Sequence, residues 1–178
     1  MPKILNNPKE TILIEAKILL KECGYRKFSM RELAKRSNIA TGTLYNYYKN
    51  KFDIIREIFI DEWGKVISNL SNINYEDVSF EHKMMAIYDE IEGYLKDHMD
   101  IFMELTELRG SKDCKGMKES MESLYKITDE IVIFHKAKGD IKLDIETRKG
   151  TLFLINNILF IIKNKYMTIE DLIKIVKK

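Results

Sequence analysis

The chain has 178 residues, with 30 Lys and Arg against 28 Asp and Glu and a net charge of +2. That length fits one domain, or a small and a medium one, with room for a sizeable core. Cys23 and Cys114 are the only cysteines and stand far apart, which excludes a disulfide scaffold or a cysteine-rich zinc site and fits a reducing compartment. The longest apolar run, 151–162, contains Asn156 and Asn157 and falls far short of the ~20 residues a membrane span needs. No apolar signal core follows Met1-Pro2-Lys3, so the expectation is a cytoplasmic protein without a membrane partner.

Charge is unevenly placed. Residues 1–51 hold 11 Lys/Arg and 4 Asp/Glu, whereas residues 52–178 hold 19 and 24. A basic head on an acidic body is the electrostatic footprint of a polyanion-binding module attached to something else. A merely solvated basic face gives the same count.

In chain order, residues 1–6 read as a loose arm. Asn7 caps a first helix with Pro8 at its first position and Glu10 at its third. Ile12, Ala16, Leu19, Leu20 and Cys23 form one helical stripe, and Gly24 ends it. Over 29–51, SMRELAKRSNIATGTLYNYYKNK, two short helices joined by a tight turn lead into a third. Ser29 and Glu32 have capping-box spacing, with Phe28 and Leu33 placed as a hydrophobic staple. Asn38 sits where the chain reverses, being the best substitute for Gly in a left-handed conformation. The helix 41–48 has one core residue, Leu44, and displays Thr41, Gly42, Thr43, Tyr45, Asn46 and Tyr47. Ala40 lacks a capping side chain, so the helix starts either there or one residue later on Thr41. Asn50, with Asp53, caps a long helix to about residue 70. After a linker at 71–79, Ser79 caps a helix over 80–98 and Asp100 caps one over 101–109. Residues 111–116 are polar. Helices follow over 117–138, stopped by Gly139, over 145–165, capped by Asp144, and over 169–176, capped by Thr168 and Asp171. About nine helices and no strand make the chain all-α.

A short helix that offers hydroxyls, an amide and aromatic rings beside Arg and Lys suits phosphate and base-edge contact, and a glycine lets the backbone approach closely. The strings Phe28-Ser29-Met30-Arg31-Glu32-Leu33-Ala34 and Ile39-Ala40-Thr41-Gly42-Thr43-Leu44-Tyr45-Asn46-Tyr47-Tyr48, closed by Lys51, resemble the DNA-binding domain of the tetracycline-repressor (TetR) family over about 12–59. The family usually has Gly where Asn38 stands. The resemblance implies a helix-turn-helix domain at 1–51, joined by the helix at 51–70 to a ligand-binding and dimerisation domain at 52–178. It also implies that Lys51 contacts the DNA backbone. Candidate DNA-binding residues are Ser29, Arg31, Thr41, Gly42, Thr43, Tyr45, Asn46, Tyr47 and Lys51.

The body is rich in Met and aromatic residues. Singly these are core residues; as a set, with the resemblance, they point to an apolar ligand cavity. Met85, Tyr88, Phe102, Met103, Met121 and Tyr125 are the candidates. The helix 145–165 is apolar nearly all round and needs cover on most sides. A second copy is a natural cover, with Leu152, Ile155, Ile158, Leu159 and Ile162 as dimer candidates. The resemblance implies a four-helix bundle from the last two long helices of each copy, here 117–138 with 145–165, or 145–165 with 169–176. His82, His98 and His135 lack ligand spacing, no nucleophile or phosphate loop is present, and neither metal, cofactor nor catalysis is expected. The expected function is a homodimeric, ligand-responsive transcriptional regulator, a repressor on double-stranded DNA released by a small, largely apolar molecule. The alternatives are a helical protein-interaction module that keeps the head but reads no DNA, and a small helical enzyme acting on an apolar substrate.

Overall fold

The structure, a computed structural model, describes residues 7–109 and 115–178 and, within them, all side chains but those of residues 100 and 102–120. Among the described residues it is all-α. Its helices are α1 (Pro8–Lys27), α2 (Met30–Arg36), α3 (Thr41–Tyr47), α4 (Lys51–Asn74), α5 (Phe80–Arg109), α6 (Lys115–Lys138), α7 (Thr147–Asn164) and α8 (Ile169–Val176). None of them is long and apolar enough to cross a membrane. The described residues fall into two compact units, one drawn from Met1–Glu62 and His98–Asp113, the other from Trp63–Asp97 and Cys114–Lys178.

In the first unit, Ile12, Ala16, Leu19 and Leu20 of α1 are buried together with Leu33 and Ala34 of α2, Leu44 of α3 and Ile54, Ile55 and Ile58 of α4. These are the stripes read from the 3- and 4-residue spacing. Ser29 accepts a hydrogen bond from the Glu32 amide and starts α2. Phe28 and Leu33 are both buried. Asn38 takes φ 53°, the left-handed conformation the turn demands. Gly24 breaks the regular helix at φ 68°. Asn50 accepts from the Phe52 and Asp53 amides and so caps α4. Asn7 does not cap as expected. It is itself left-handed, makes no side-chain cap, and instead donates its amide to Glu10.

The second unit is built on α6 and α7. Leu124, Ile131 and Val132 meet Leu154, Ile155, Ile158 and Ile161, closed by Phe80, Met84, Ile87 and Ile91 from α5 and by Ile169, Leu172, Ile173 and Val176 from α8. Thr168 and Asp171 form a reciprocal capping box at the start of α8. Gly139, at φ 81°, ends α6.

Besides Asn7, three expectations need correction. α5 is one continuous helix rather than two, giving eight helices among the described residues; no Gly or Pro stands between 94 and 109 to break it. α4 continues to Asn74, four residues past its expected end. α7 starts at Thr147 after Glu146, not at 145 behind Asp144. The segment before it is held extended, because Ile141 and Leu143 are buried and the Lys142 amide donates to the Val176 carbonyl.

Candidate nucleic-acid interface

α3 has seven residues and an uncapped start. Ala40 holds the N-cap position with extended backbone angles, φ −67° and ψ 144°, and makes no side-chain cap. The helix thus begins at Thr41 with its first amides free of a capping side chain. A helix this short is unstable alone, so Leu44, 0% exposed, anchors it to the head's core. Thr41, Gly42, Thr43, Tyr45, Asn46 and Tyr47 all face outward. Tyr45 is 50% and Tyr47 43% exposed. A Cβ added at Gly42 would meet nothing within 4 Å in the chain. The chain's own packing therefore does not require glycine there; the close approach of something else would.

The surrounding charges divide into pinned and displayed. Arg36 is paired with Glu22 at 2.6 Å and Glu32 at 3.4 Å. Hydrogen bonding to Glu22 raises Arg36 and holds the Glu22 carboxyl below its ordinary range. Lys9 pairs with Glu57 at 2.7 Å, and Lys17 with Asp61 and Glu62 at 2.7 and 3.1 Å. Lys27, Arg31, Lys35 and Lys49, by contrast, are exposed. Lys27 and Lys49 were not singled out in the sequence, although each directly flanks a reading element and so carries a readable signal. Ser29 is exposed, and its oxygen serves the α2 cap.

Lys51 occupies a more specific place than a surface contact. Its ammonium donates to the Tyr25 carbonyl at 2.8 Å and the Arg26 carbonyl at 3.4 Å, and lies 4.2 Å from the centre of the Tyr25 ring. It ties the start of α4 to the end of α1 on either side of the reading unit. Tyr25, buried at 4% exposed, is the receiver, and only its position after the helix-breaking Gly24 hinted at this. Tyr48 is buried too, and burial, aided by the Glu57 carboxylate, pushes its phenol above the ordinary tyrosine range. It belongs to the core rather than the displayed face.

Of the body's candidates, Met85, Tyr88, Met121 and Tyr125 are half-buried and pack against the second core. Tyr88 donates to Glu92 at 2.9 Å, and Arg148 stands 5.6 Å from the centre of the Tyr125 ring. The side chains of Phe102 and Met103 lie outside the described residues. On α7, Ile155 and Ile158 are 0% exposed and used by the chain's own core, whereas Leu152, Leu159 and Ile162 are half-buried. The outward apolar residues of that helix are Phe153, 39% exposed, and Phe160, 54% exposed. His135 Nδ1 lies 2.7 Å from Asp140 and closes the end of α6.

Residues 12–58 match the sequence profile of "Bacterial regulatory proteins, tetR family". Over 152 residues the chain is 27% identical to the fatty acid metabolism regulator protein of Bacillus subtilis (strain 168), covering 82% of this chain and 78% of that one. Its architecture resembles the crystal structure of the transcriptional regulator FadR from Bacillus subtilis in complex with stearoyl-CoA, with TM-score 0.65 and 23% identity over 90% of both chains. It also resembles a transcriptional regulator from Cytophaga hutchinsonii, with TM-score 0.78 and 15% identity over 93% of this chain and 86% of that one.

Proposed function

Through residues 12–58 the chain belongs to the tetR family of bacterial regulatory proteins, and from that premise we propose that it is a homodimeric repressor released from a palindromic operator by a long-chain fatty acyl thioester. α3 of each copy enters the major groove, the two half-sites lying about one helical turn, roughly 34 Å, apart. Thr41, Gly42, Thr43 and Asn46 meet base edges or closely approached backbone. Ser29, Arg31, Tyr45, Tyr47 and Lys51 hold phosphates, with Lys51 doing so from its fixed seat on Tyr25. The observation that carries this reading is the outward display of six of the seven α3 residues, on a helix held by Leu44 alone.

The effector class is supported by similarity. The Bacillus subtilis relative is named for fatty acid metabolism, and the similar structure holds stearoyl-CoA. Met85, Tyr88, Met121 and Tyr125, which pack against the second core, are the residues proposed to meet the acyl chain. The second copy packs on α7 against Leu152, Phe153, Leu159, Phe160 and Ile162, with α6 alongside. An effector weakens the operator complex only by binding the released state better; a tenfold loss of affinity takes about 1.4 kcal/mol of differential binding.

The test is a titration of stearoyl-CoA into the preformed complex with operator DNA, with sedimentation of the protein alone beside it. Release by stearoyl-CoA, but not by free coenzyme A, from a sedimenting dimer is expected. A monomer, or a complex indifferent to the thioester, would overturn the corresponding part of the reading. A salt-insensitive association with a protein and none with DNA would favour the interaction-module alternative.

A further inference from the structure

On α3 two positions stand nearly opposite the buried Leu44. A helix advances about 100° per residue, which places Gly42, two residues before Leu44, and Asn46, two after it, about 160° away on either side. Thr43 and Tyr45 stand about 100° from Leu44, and Thr41 and Tyr47 only about 60°. Gly42 and Asn46 therefore form the crest, the line that goes deepest when a helix anchored from behind enters a groove. Both are exposed. A helical side chain leans toward the N-terminus of its own helix, so Asn46 leans toward Gly42. An added Cβ at Gly42 would meet nothing within 4 Å, which leaves the lane beside the Asn46 amide open.

Elsewhere the chain uses its asparagine amides at home. Asn69 donates to Glu90 at 2.9 Å, Asn157 to the Phe153 carbonyl at 2.8 Å and Asn164 to the Phe160 carbonyl at 3.0 Å. Among the described residues no hydrogen bond reaches the Asn46 side chain. Nothing in the fold rewards it either, since asparagine and glycine are both weak helix formers and α3 has only seven residues and an uncapped start. Residues that cost the local structure and share one exposed face mark a contact surface.

A carboxamide presents a donor and an acceptor side by side in one plane. In the major groove adenine offers the complementary pair, its N6–H donor beside its N7 acceptor. Guanine offers two acceptors, which suit Arg or Lys, and cytosine a donor, which suits a carboxylate. α3, TGTLYNY, has no charged residue, so neither of those pairings arises from it. Threonine hydroxyls rotate to donate or accept and discriminate less.

We propose that Asn46 sets the sequence specificity of the head. Its Nδ2 donates to adenine N7 and its Oδ1 accepts from adenine N6, so each half-site carries an A·T pair at the centre of the α3 contact. Gly42 leaves that base edge room to reach the amide. This pairing rests on the placement of α3 in the major groove proposed above.

The test selects duplexes from a randomised library with the full chain. The adenines of the selected site are then replaced by 7-deazaadenine, which lacks N7, one symmetry-related pair at a time. One pair is expected to lose about tenfold in affinity on replacement, and the others little. Asn46→Ala should bind the adenine and 7-deazaadenine duplexes alike, lose its preference at that base pair alone, and keep its salt slope, since no phosphate contact is removed. Indifference of the unaltered chain to every replacement, or an Asn46→Ala protein that still shows the loss, overturns the proposal. The first of these decides even where the variant fails to fold. Failure of the DNA-reading proposal itself looks different: selection then enriches no sequence, and the Asn46 pairing falls with it.

Discussion

Gly42→Ala separates what the fold requires from what the reading surface requires. Gly42 lies at the second position of α3, its side is open, and an added Cβ meets nothing within 4 Å. Glycine in a helix costs roughly 0.5–1 kcal/mol relative to alanine through the extra freedom of its unfolded chain. With no clash to subtract, the substitution should stabilise α3 by most of that amount. Hydrogen exchange of the α3 amides reads this locally, as a protection factor raised about threefold, since 0.6–0.7 kcal/mol is close to RT ln 3. Operator affinity should move the other way. A methyl group placed where DNA backbone or a base edge approaches forces the helix outward, and a loss of tenfold or more, about 1.4 kcal/mol, is expected in a gel shift. A more protected helix with unchanged affinity would refute the placement of Gly42 at the contact. A less protected helix would refute the reasoning about its open side.

Other substitutions test neighbouring links. Ala40→Ser supplies the cap that α3 lacks, at a residue already in extended N-cap geometry, and should stabilise the head by about 1 kcal/mol, seen as added exchange protection in α3. Leu44→Ala removes the sole buried side chain of α3 and should cost about 3 kcal/mol, with loss of DNA binding at temperatures where the second unit still melts normally. Lys51→Met keeps the stem over Tyr25 but loses the bonds to two carbonyls; binding to all DNA sequences should weaken alike and the salt slope should flatten, whereas a change in sequence preference alone would contradict the assignment. In the second unit, Lys177 bonds the Glu81 carboxylate, and this, with a backbone hydrogen bond, holds its pKa at about 2 against an ordinary 4.5. A carboxylate depressed in the folded state adds stability above its unfolded pKa and loses it as pH falls through the folded one. The pair's contribution should therefore fade between pH 4.5 and 2, and Glu81→Gln should flatten acid unfolding in that window.

The reading head was legible because its signals are local. Ser29 before Glu32, Asn38 at the reversal and Leu44 in a polar helix each declare their role within a few residues. The capping box of Thr168 and Asp171 was visible for the same reason. Local signals failed where distant contacts decide. Asn7 has the residue type of a cap, but its amide found Glu10 instead. Asp144 could not start α7, because the chain end pairs with residues 140–142 and holds the approach extended. Ile155 and Ile158 looked the same as Leu152 and Leu159 in an apolar run, and only the packing of α6 onto α7 separates those the chain buries from those it half-displays. Lys51 was recognised by its motif, while its seat on Tyr25 depends on a partner 26 residues away.

The central claim is that the displayed face of α3 reads a specific DNA sequence. The most direct measurement is gel-shift binding to DNA upstream of the protein's own gene, at two salt concentrations and with unrelated DNA in excess. The account predicts a complex that survives the competitor at both concentrations and weakens as phosphate contacts are screened. Binding that unrelated DNA removes entirely, vanishing equally on every sequence as salt rises, would mean that the basic head acts only as a polycation, and would contradict it.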